Sequence, residues 1–335
     1  MNLNNAKILI SRTDNIGDVI LTLPMAGLIK EKFPKAKIYF IAKSYTKDVV
    51  ATCAHVDEFI NYSKLETHSE ADQVDYIKGL GLDLVIHVFP NQKLAKVCAK
   101  AKVRYRLGTI NRWWHLFYCN ILPRVARKRS KLHEAELNFA LIRRFIKNPY
   151  LLADIHKLYG FKKPVLAESV KSYLSAEKFN IVLHPLSFGS AREWGQDNFK
   201  AFIQKLLDNG RYNVIITGTQ KEADQFKHNL LLPFEGKIQN TTGKLSLEEL
   251  VSLISHADGI VAASTGPLHI GAMAGINALG LFITKPPMHP GRWKALGPRA
   301  DFMVHAANDF SLDSILRIKP DRVMKVVESW GKIQS

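Results

Sequence analysis

The sequence predicts an α/β chain made of two doubly wound units in tandem, and three observations carry that expectation. Short β-rich runs alternate with helical stretches over the first part of the chain, the rhythm breaks between Asn148 and about Lys178, and the same alternation then restarts.

In the first unit the apolar run Lys7 to Arg12 stops at the polar turn TDNIGD and gives way to VILTLPMAGLIKEKF, an order of strand, loop and helix. Pro24 falls inside that helical stretch, where it removes a hydrogen bond and predicts a kink, unless the helix starts later. KIYFIA (37–42), DEFINY (57–62), DLVIHVF (83–89) and VRYRLG (103–108) follow as strands, with room for crossover helices between them. The stretch 148–178 carries two prolines and mixed polarity and reads as a hinge. Strands are expected again at NIVLH (180–184), NVIITG (213–218), GIVAAS (259–264) and ALGLFI (278–283). Ser246 with Glu249 three residues on predicts a capping box for the helix that ends at Gly259, and the last 25 residues read as one helix or two, broken near Pro320.

Composition excludes several classes. A chain of 335 residues can bury two cores without disulfide or metal staples, its 47% hydrophobic content excludes disorder, and ordinary Gly and Pro contents exclude collagen-like repetition. No run reaches the roughly 18 apolar residues of a membrane helix. The start MNLNNAKILI has no basic region leading into a long apolar stretch, so a cytosolic chain is expected. Cys53, Cys98 and Cys119 form no CxxC pair and read as buried hydrophobes, not as disulfide or zinc ligands.

The net charge of +17 is concentrated: from residue 84 to residue 133 there is no acidic side chain, while Lys93, Lys96, Lys100, Lys102, Arg104, Arg106, Arg112, Arg124, Arg127, Lys128, Arg129 and Lys131 all lie there. Tyr105, Trp113, Trp114, Phe117 and Tyr118 are interleaved with them. Such a surface suits nucleic acid or an anionic membrane face; the plainer alternative is a solvated basic face over core aromatics.

Ligands of open parallel sheets bind beyond the carboxyl ends of the strands, so four polar loops are candidates. In the first, Ser11 to Asp18, Gly17 permits a tight turn and Asp18 opens a helix, where it serves as a proton acceptor or simply as an N-cap. No GxGxxG fingerprint is present, which argues against a nicotinamide enzyme. The second, His184 to Trp194, offers Ser187, Ser190 and Arg192 at a helix start, equipment for phosphate oxygens or a loop with an exposed arginine. The third, Thr217 to Glu222, has a carboxylate suited to a ribose hydroxyl or to stabilising the helix start. In the fourth, Ser264 to Gly275, Gly266 lets the backbone approach a ligand, Pro267 opens a helix whose amides make an anion seat, and His269 faces that anion or packs in the core.

Taken together, R-x-D-x-x-G-D at Arg12 to Asp18, H-P-x-S-x-x-x-x-R-x-W at His184 to Trp194 and S-T-G-x-x-H at Ser264 to His269 resemble, in order and over nearly the whole chain, the ADP-heptose:lipopolysaccharide heptosyltransferases of glycosyltransferase family 9. The resemblance implies a GT-B fold, two Rossmann-like domains facing each other across a cleft. It places an acceptor-binding domain at 1–165, a nucleotide-sugar domain at 166–310, and a C-terminal helix at 311–335 packing back toward the N-terminal domain. It also implies an inverting, metal-independent transfer without a cofactor.

Carried over by residue, the resemblance makes Asp18 the catalytic base. It makes Ser187, Ser190, Arg192, Thr217, Glu222, Leu245, Ser246, Thr265, Gly266 and His269 the donor set, with Arg192 standing where many members have a phosphate-binding lysine. Glu222 then meets the ribose, and Lys244-Leu245-Ser246 reads the adenine. Arg12, Lys102, Arg104, Arg106, Arg112, Arg127 and Lys131 meet the acceptor, whose phosphorylated lipid-linked sugars match the basic stretch. The chain departs from the pattern at Ser264, where well-known members carry Asp, at Arg192, and in lacking a proline after Trp194; these positions bear on which sugar is recognised. No D-x-D triplet occurs, so cationic and amide groups are expected to stabilise the leaving diphosphate. The expected partners are an ADP-sugar, an anionic lipopolysaccharide core acceptor and the cytosolic membrane surface, with no nucleic acid. The competing readings are a basic nucleic-acid-binding α/β protein and a GT-B nucleotide-sugar epimerase.

Overall fold

The computed structural model describes residues 3–125, 127, 130–187, 189, 191–226 and 230–332. The chain divides into two units, Met1–Lys162 and Lys163–Ser335.

In the first unit, strands β1 (Lys7–Ser11), β2 (Lys37–Ala42), β3 (Glu58–Asn61), β4 (Leu84–His87) and β5 (Tyr105–Leu107) form a sheet in the order β3-β2-β1-β4-β5, every pair parallel. Their Ile, Leu and Val residues are buried on both faces, as a parallel sheet covered by helices requires, and Phe59 on the edge strand β3 is half-buried. The apolar stretch after β1 is two helices, Ile16–Ile20 and Leu23–Lys32, and Pro24 stands in the first turn of the second. No hydrogen bond is lost there, so the expected kink becomes a clean helix start. Gly27 in this helix lies against the segment Leu152–Tyr159, and a Cβ there would collide with the Leu158 carbonyl.

The second unit adds β6 (Phe179–His184), β7 (Tyr212–Ile216), β8 (Gln239–Asn240), β9 (Gly259–Ala263), β10 (Asn277–Leu281) and β11 (Ala300–Met303), ordered β11-β10-β9-β6-β7-β8 and again parallel throughout. Strand order reverses beside β1 in the first sheet and beside β6 in the second, the places where doubly wound sheets bind ligands. β8 and β11 were not expected from the sequence: one has two residues, and the other exposes Asp301 and Phe302 of its four.

Trp194 anchors the core of the second unit. It is fully buried against Phe199 and Phe202, and its Nε1 donates to the Ile318 carbonyl at 2.8 Å. A buried side chain of that size contributes about 4–6 kcal/mol of gross hydrophobic stabilisation. The last helix begins at Pro320, where the sequence suggested a break, and buries Val323, Met324 and Val327 in this same core. The stretch read as a hinge is structured on both sides of the division. Ile155, Leu158 and Tyr159 are buried in the first unit, and the Ala167 amide donates to Ser252 Oγ in the second. All three cysteines are free and buried, and burial pushes the thiols of Cys98 and Cys119 up to about 12.

Candidate functional site

The turn after β1 is organised by Arg12, whose side chain is 4% exposed. Its Nε donates to Asp14 Oδ1 at 2.7 Å, Nη1 to Glu134 Oε1 at 3.1 Å, and Nη2 to Asp18 Oδ1. A planar guanidinium is the one side chain able to fork onto three carboxylates in this way. Glu134 is itself 1% exposed and bridges to Arg127 Nη1, while Arg127 Nη2 donates to Asn138 Oδ1 at 3.0 Å. Asn138 Nδ2 returns to the Leu21 carbonyl at 3.0 Å, and Thr22 Oγ1 donates to the Asp18 carbonyl at 2.8 Å, which closes the network around the short helix that carries Asp18. Glu134, Asn138 and Asp14 were not singled out in the sequence. The signal for Glu134 was there: it is the first carboxylate after fifty residues without one.

Asp18 is not an N-cap. It occupies the third position of the helix Ile16–Ile20, its carboxylate turns to Arg12, and Oδ2 receives no hydrogen bond from the described residues. Burial raises its pKa above the ordinary carboxylate value, against the lowering effect of Arg12 and with further help from Glu134. Burial also lifts Asp14, to about 6, with Arg12 opposing and Asp18 adding to the rise. Burial disfavours the charge on Arg12 itself, but Asp18, Asp14 and Glu134 more than offset it and hold its proton tightly. His87, opposite Ser11 in the sheet and fully buried, is held neutral, its pKa driven down to about 3 by burial and then by His115 and Arg106.

The other residues expected to meet an acceptor lie elsewhere in the unit. Arg106 Nε donates to the Tyr118 carbonyl at 2.8 Å and Nη1 to that of Val103 at 2.5 Å, so this guanidinium ties the chain together and is not presented outward. Lys102, Arg104, Arg112 and Lys131 are exposed, Lys102 with a left-handed φ of 56°. Lys128 and Arg129 lie outside the described residues.

In the second unit the four loops at the carboxyl ends of β6, β7, β8 and β9 hold the expected donor residues. Ser190 lies outside the described residues. Ser187 is turned inward: its amide donates to Glu193 Oε1 at 2.8 Å and its hydroxyl lies 2.9 Å from both Glu193 Oε1 and the Ala191 carbonyl, so its hydroxyl builds the loop. With Trp194 seated in the core, Glu193 and Ser187 leave Arg192 exposed on the loop, without an ion-pair partner among the described residues. His184 Nδ1 lies 3.0 Å from Thr217 Oγ1, and burial lowers the His184 pKa, opposed by Glu222.

Glu222 is 2% exposed and accepts from the Thr219 amide at 2.6 Å, while the Glu222 amide donates to Thr219 Oγ1 at 3.3 Å. Its carboxylate therefore stabilises the helix start, one of the two roles open to it from the sequence. The Gly243 amide donates to the Gly218 carbonyl at 2.9 Å, joining this loop to the one that carries Leu245 and Ser246. Ser246 makes the expected capping box with Glu249. Thr265 is the N-cap residue of the helix Gly266–Ala274 but makes no side-chain cap, and Pro267 stands in the first turn. Among the described residues the first amides of this helix meet no capping side chain from Thr265, and His269 is buried at 3% exposure.

Comparison with known proteins shows the family and the fold. The family model described as glycosyltransferase family 9 (heptosyltransferase) matches residues 82–312, more than two thirds of the chain. A Haemophilus influenzae protein, whose name places it among the glycosyltransferases without stating a substrate, is 28% identical, with 87% of this chain and 86% of its own covered. The crystal structure of a glycosyl transferase family 9 protein from Veillonella parvula superposes with a TM-score of 0.81 at 17% identity, covering 98% of both chains. The E. coli ADP-heptose LPS heptosyltransferase II superposes with a TM-score of 0.75 at 20% identity, covering 96% of this chain and 98% of that one.

Proposed function

The chain belongs to glycosyltransferase family 9, and from that premise we propose that it transfers a heptose or a related sugar from an ADP-linked donor to an anionic lipopolysaccharide inner-core acceptor, with inversion and without a metal. The observation that carries the reading is Asp18, a largely buried carboxylate beside the switch point of the first sheet, oriented through Oδ1 by Arg12 and with no hydrogen bond to Oδ2 among the described residues.

In the proposed step an acceptor hydroxyl oxygen bonds to the anomeric carbon as the bond from that carbon to the ADP phosphate oxygen breaks. The hydroxyl proton passes to Asp18 Oδ2, and the electron pair departs on ADP. A carboxylate whose pKa is raised by burial is a stronger base than a solvated one, and its ion pair with Arg12 keeps it ionised and aimed. Charge growing on the departing diphosphate is met by Arg192 and by the amides at the start of the helix Gly266–Ala274, with Thr265, Gly266 and His269 at that turn. Thr217, Leu245 and Ser246 line the neighbouring loops, where the nucleoside is held. The hydrogen bonds of Ser187 within its loop and of Glu222 at its helix start hold these loops in shape. Arg12 and Arg127 shape the base, while the exposed Lys102, Arg104, Arg112 and Lys131 draw in the phosphorylated acceptor at the cytosolic membrane face.

The ADP-heptose named for the E. coli neighbour makes ADP-heptose the first donor to test. ADP release from ADP-heptose on adding lipopolysaccharide core acceptor, with no UDP or GDP released from UDP- or GDP-sugars, supports the reading. Turnover of a UDP- or GDP-sugar in preference to ADP-heptose overturns the donor assignment.

A further inference from the structure

We propose that the six-residue helix Trp113–Tyr118 is a membrane-docking element that seats its aromatic face in the surface of an anionic phospholipid bilayer. Trp113, Leu116 and Phe117 lie at positions i, i+3 and i+4, on one side of the helix, and are 62%, 57% and 73% exposed. The inward side carries the buried His115, to whose Nδ1 the Thr109 amide donates at 2.9 Å, and the buried Cys119 follows the helix directly. The usual arrangement is thus inverted: a polar histidine anchors the helix to the protein while the large apolar side chains face outward. Ile110, just ahead of the helix, is also exposed.

The cations around this face match an anionic surface. Asn111 Nδ2 donates to the Val125 carbonyl at 2.7 Å, and Asn120 Nδ2 to the Arg104 carbonyl at 2.8 Å, so the chain around Arg124 and Arg104 is held at the two ends of the helix. Arg104, Arg112 and Arg124 are exposed and have no carboxylate partner among the described residues; Arg112 lies over the Trp114 ring at 5.5 Å from its centroid. Trp and Phe beside Arg is the composition of an interfacial anchor. A second copy of this chain fits less well, since a two-fold contact would set these arginines against their own copies. Nucleic acid fits less well too, because Leu116 and Ile110 offer no ring on which a base can stack. No helix among the described residues is long and apolar enough to cross a membrane, so the attachment is peripheral.

The inference rests on the proposed function only for the location of the acceptor, and its test reads binding without turnover. Flotation of the full chain with vesicles of phosphatidylcholine, alone or mixed with phosphatidylglycerol, should show partition to the anionic vesicles. The double variant W113A/F117A should lower that partition at least about tenfold, with circular dichroism and ADP affinity unchanged. R112A/R124A should lower it at low salt and leave it less sensitive to added salt than the wild type. A wild-type chain that ignores anionic vesicles, a double variant that partitions like wild type, or a double variant whose only change is dissociation of a dimer would overturn the proposal. In each of those cases the donor chemistry stands or falls separately, on ADP release.

Discussion

Replacing Arg12 by methionine tests the organisation of the first unit. The guanidinium contacts Asp14, Asp18 and Glu134 while only 4% exposed, so its removal leaves three largely buried carboxylates with Arg127 as the remaining cation in the network. Breaking one partner out of a buried ion pair costs about 3–5 kcal/mol. For a unit of 162 residues, at about 2–4 °C per kcal/mol, the transition of the first unit should fall by about 6–20 °C. The loss should also depend on pH in a definite direction. Asp14, at about 6, and Asp18 already have folded-state pKa values raised above the unfolded value of about 3.9, so their contribution is most favourable at low pH and is lost as pH rises through the folded values. Removing Arg12 raises both further, so the deficit should be largest near pH 8 and smallest near pH 5. Differential scanning calorimetry at the two pH values reads this directly, and Arg12→Lys should recover part of the loss. A variant that melts within 2 °C of wild type, or one with a larger deficit at pH 5 than at pH 8, would refute the reasoning.

Other variants separate support from chemistry in the second unit. Arg192→Ala should weaken ADP binding by about 1.5–3 kcal/mol, the range for a hydrogen bond to a charged group, while leaving the melting temperature unchanged, as calorimetric titration and thermal unfolding can show together. Trp194→Phe removes the donor to Ile318 and part of a packed ring; it should cost about 1–3 kcal/mol of stability in denaturant titrations, and weaker ADP binding should follow as the loop loosens. Glu222→Ala should cost about 1 kcal/mol through loss of the cap, with a smaller effect on ADP affinity than Arg192→Ala.

Much of the architecture was legible in the sequence because buried parallel strands are written as runs of Val, Ile and Leu, and Ile8 to Ile10 or Ile181 to Leu183 have no other natural reading. Pro24 left two readings open, a kink or a later helix start, and the second holds because Thr22 separates two helices, which the composition of an apolar stretch does not reveal. β8 and β11 escaped notice because their pairing comes from the neighbouring strand and not from their own composition. Around the candidate site, residue types were legible and their partners were not. Arg12 stood out as a cation, yet its three carboxylates include Glu134, distant in sequence and brought in by the fold. Ser187 and Glu222 offered the right atoms for a ligand, but Glu193 and Thr219 claim them. A sequence displays chemistry one side chain at a time, and hydrogen-bond competition is settled only in three dimensions.

The central claim is that Asp18 is the base. The most direct measurement is turnover of the Asp18→Asn variant set beside its ADP affinity and the pH profile of the wild type. Turnover should fall about 10²–10⁴-fold with the ADP dissociation constant unchanged, and the acid limb of wild-type kcat/KM should lie above the ordinary carboxylate pKa of about 3.9. Wild-type turnover in the variant, or a loss of ADP binding in proportion to the loss of turnover, would contradict the account.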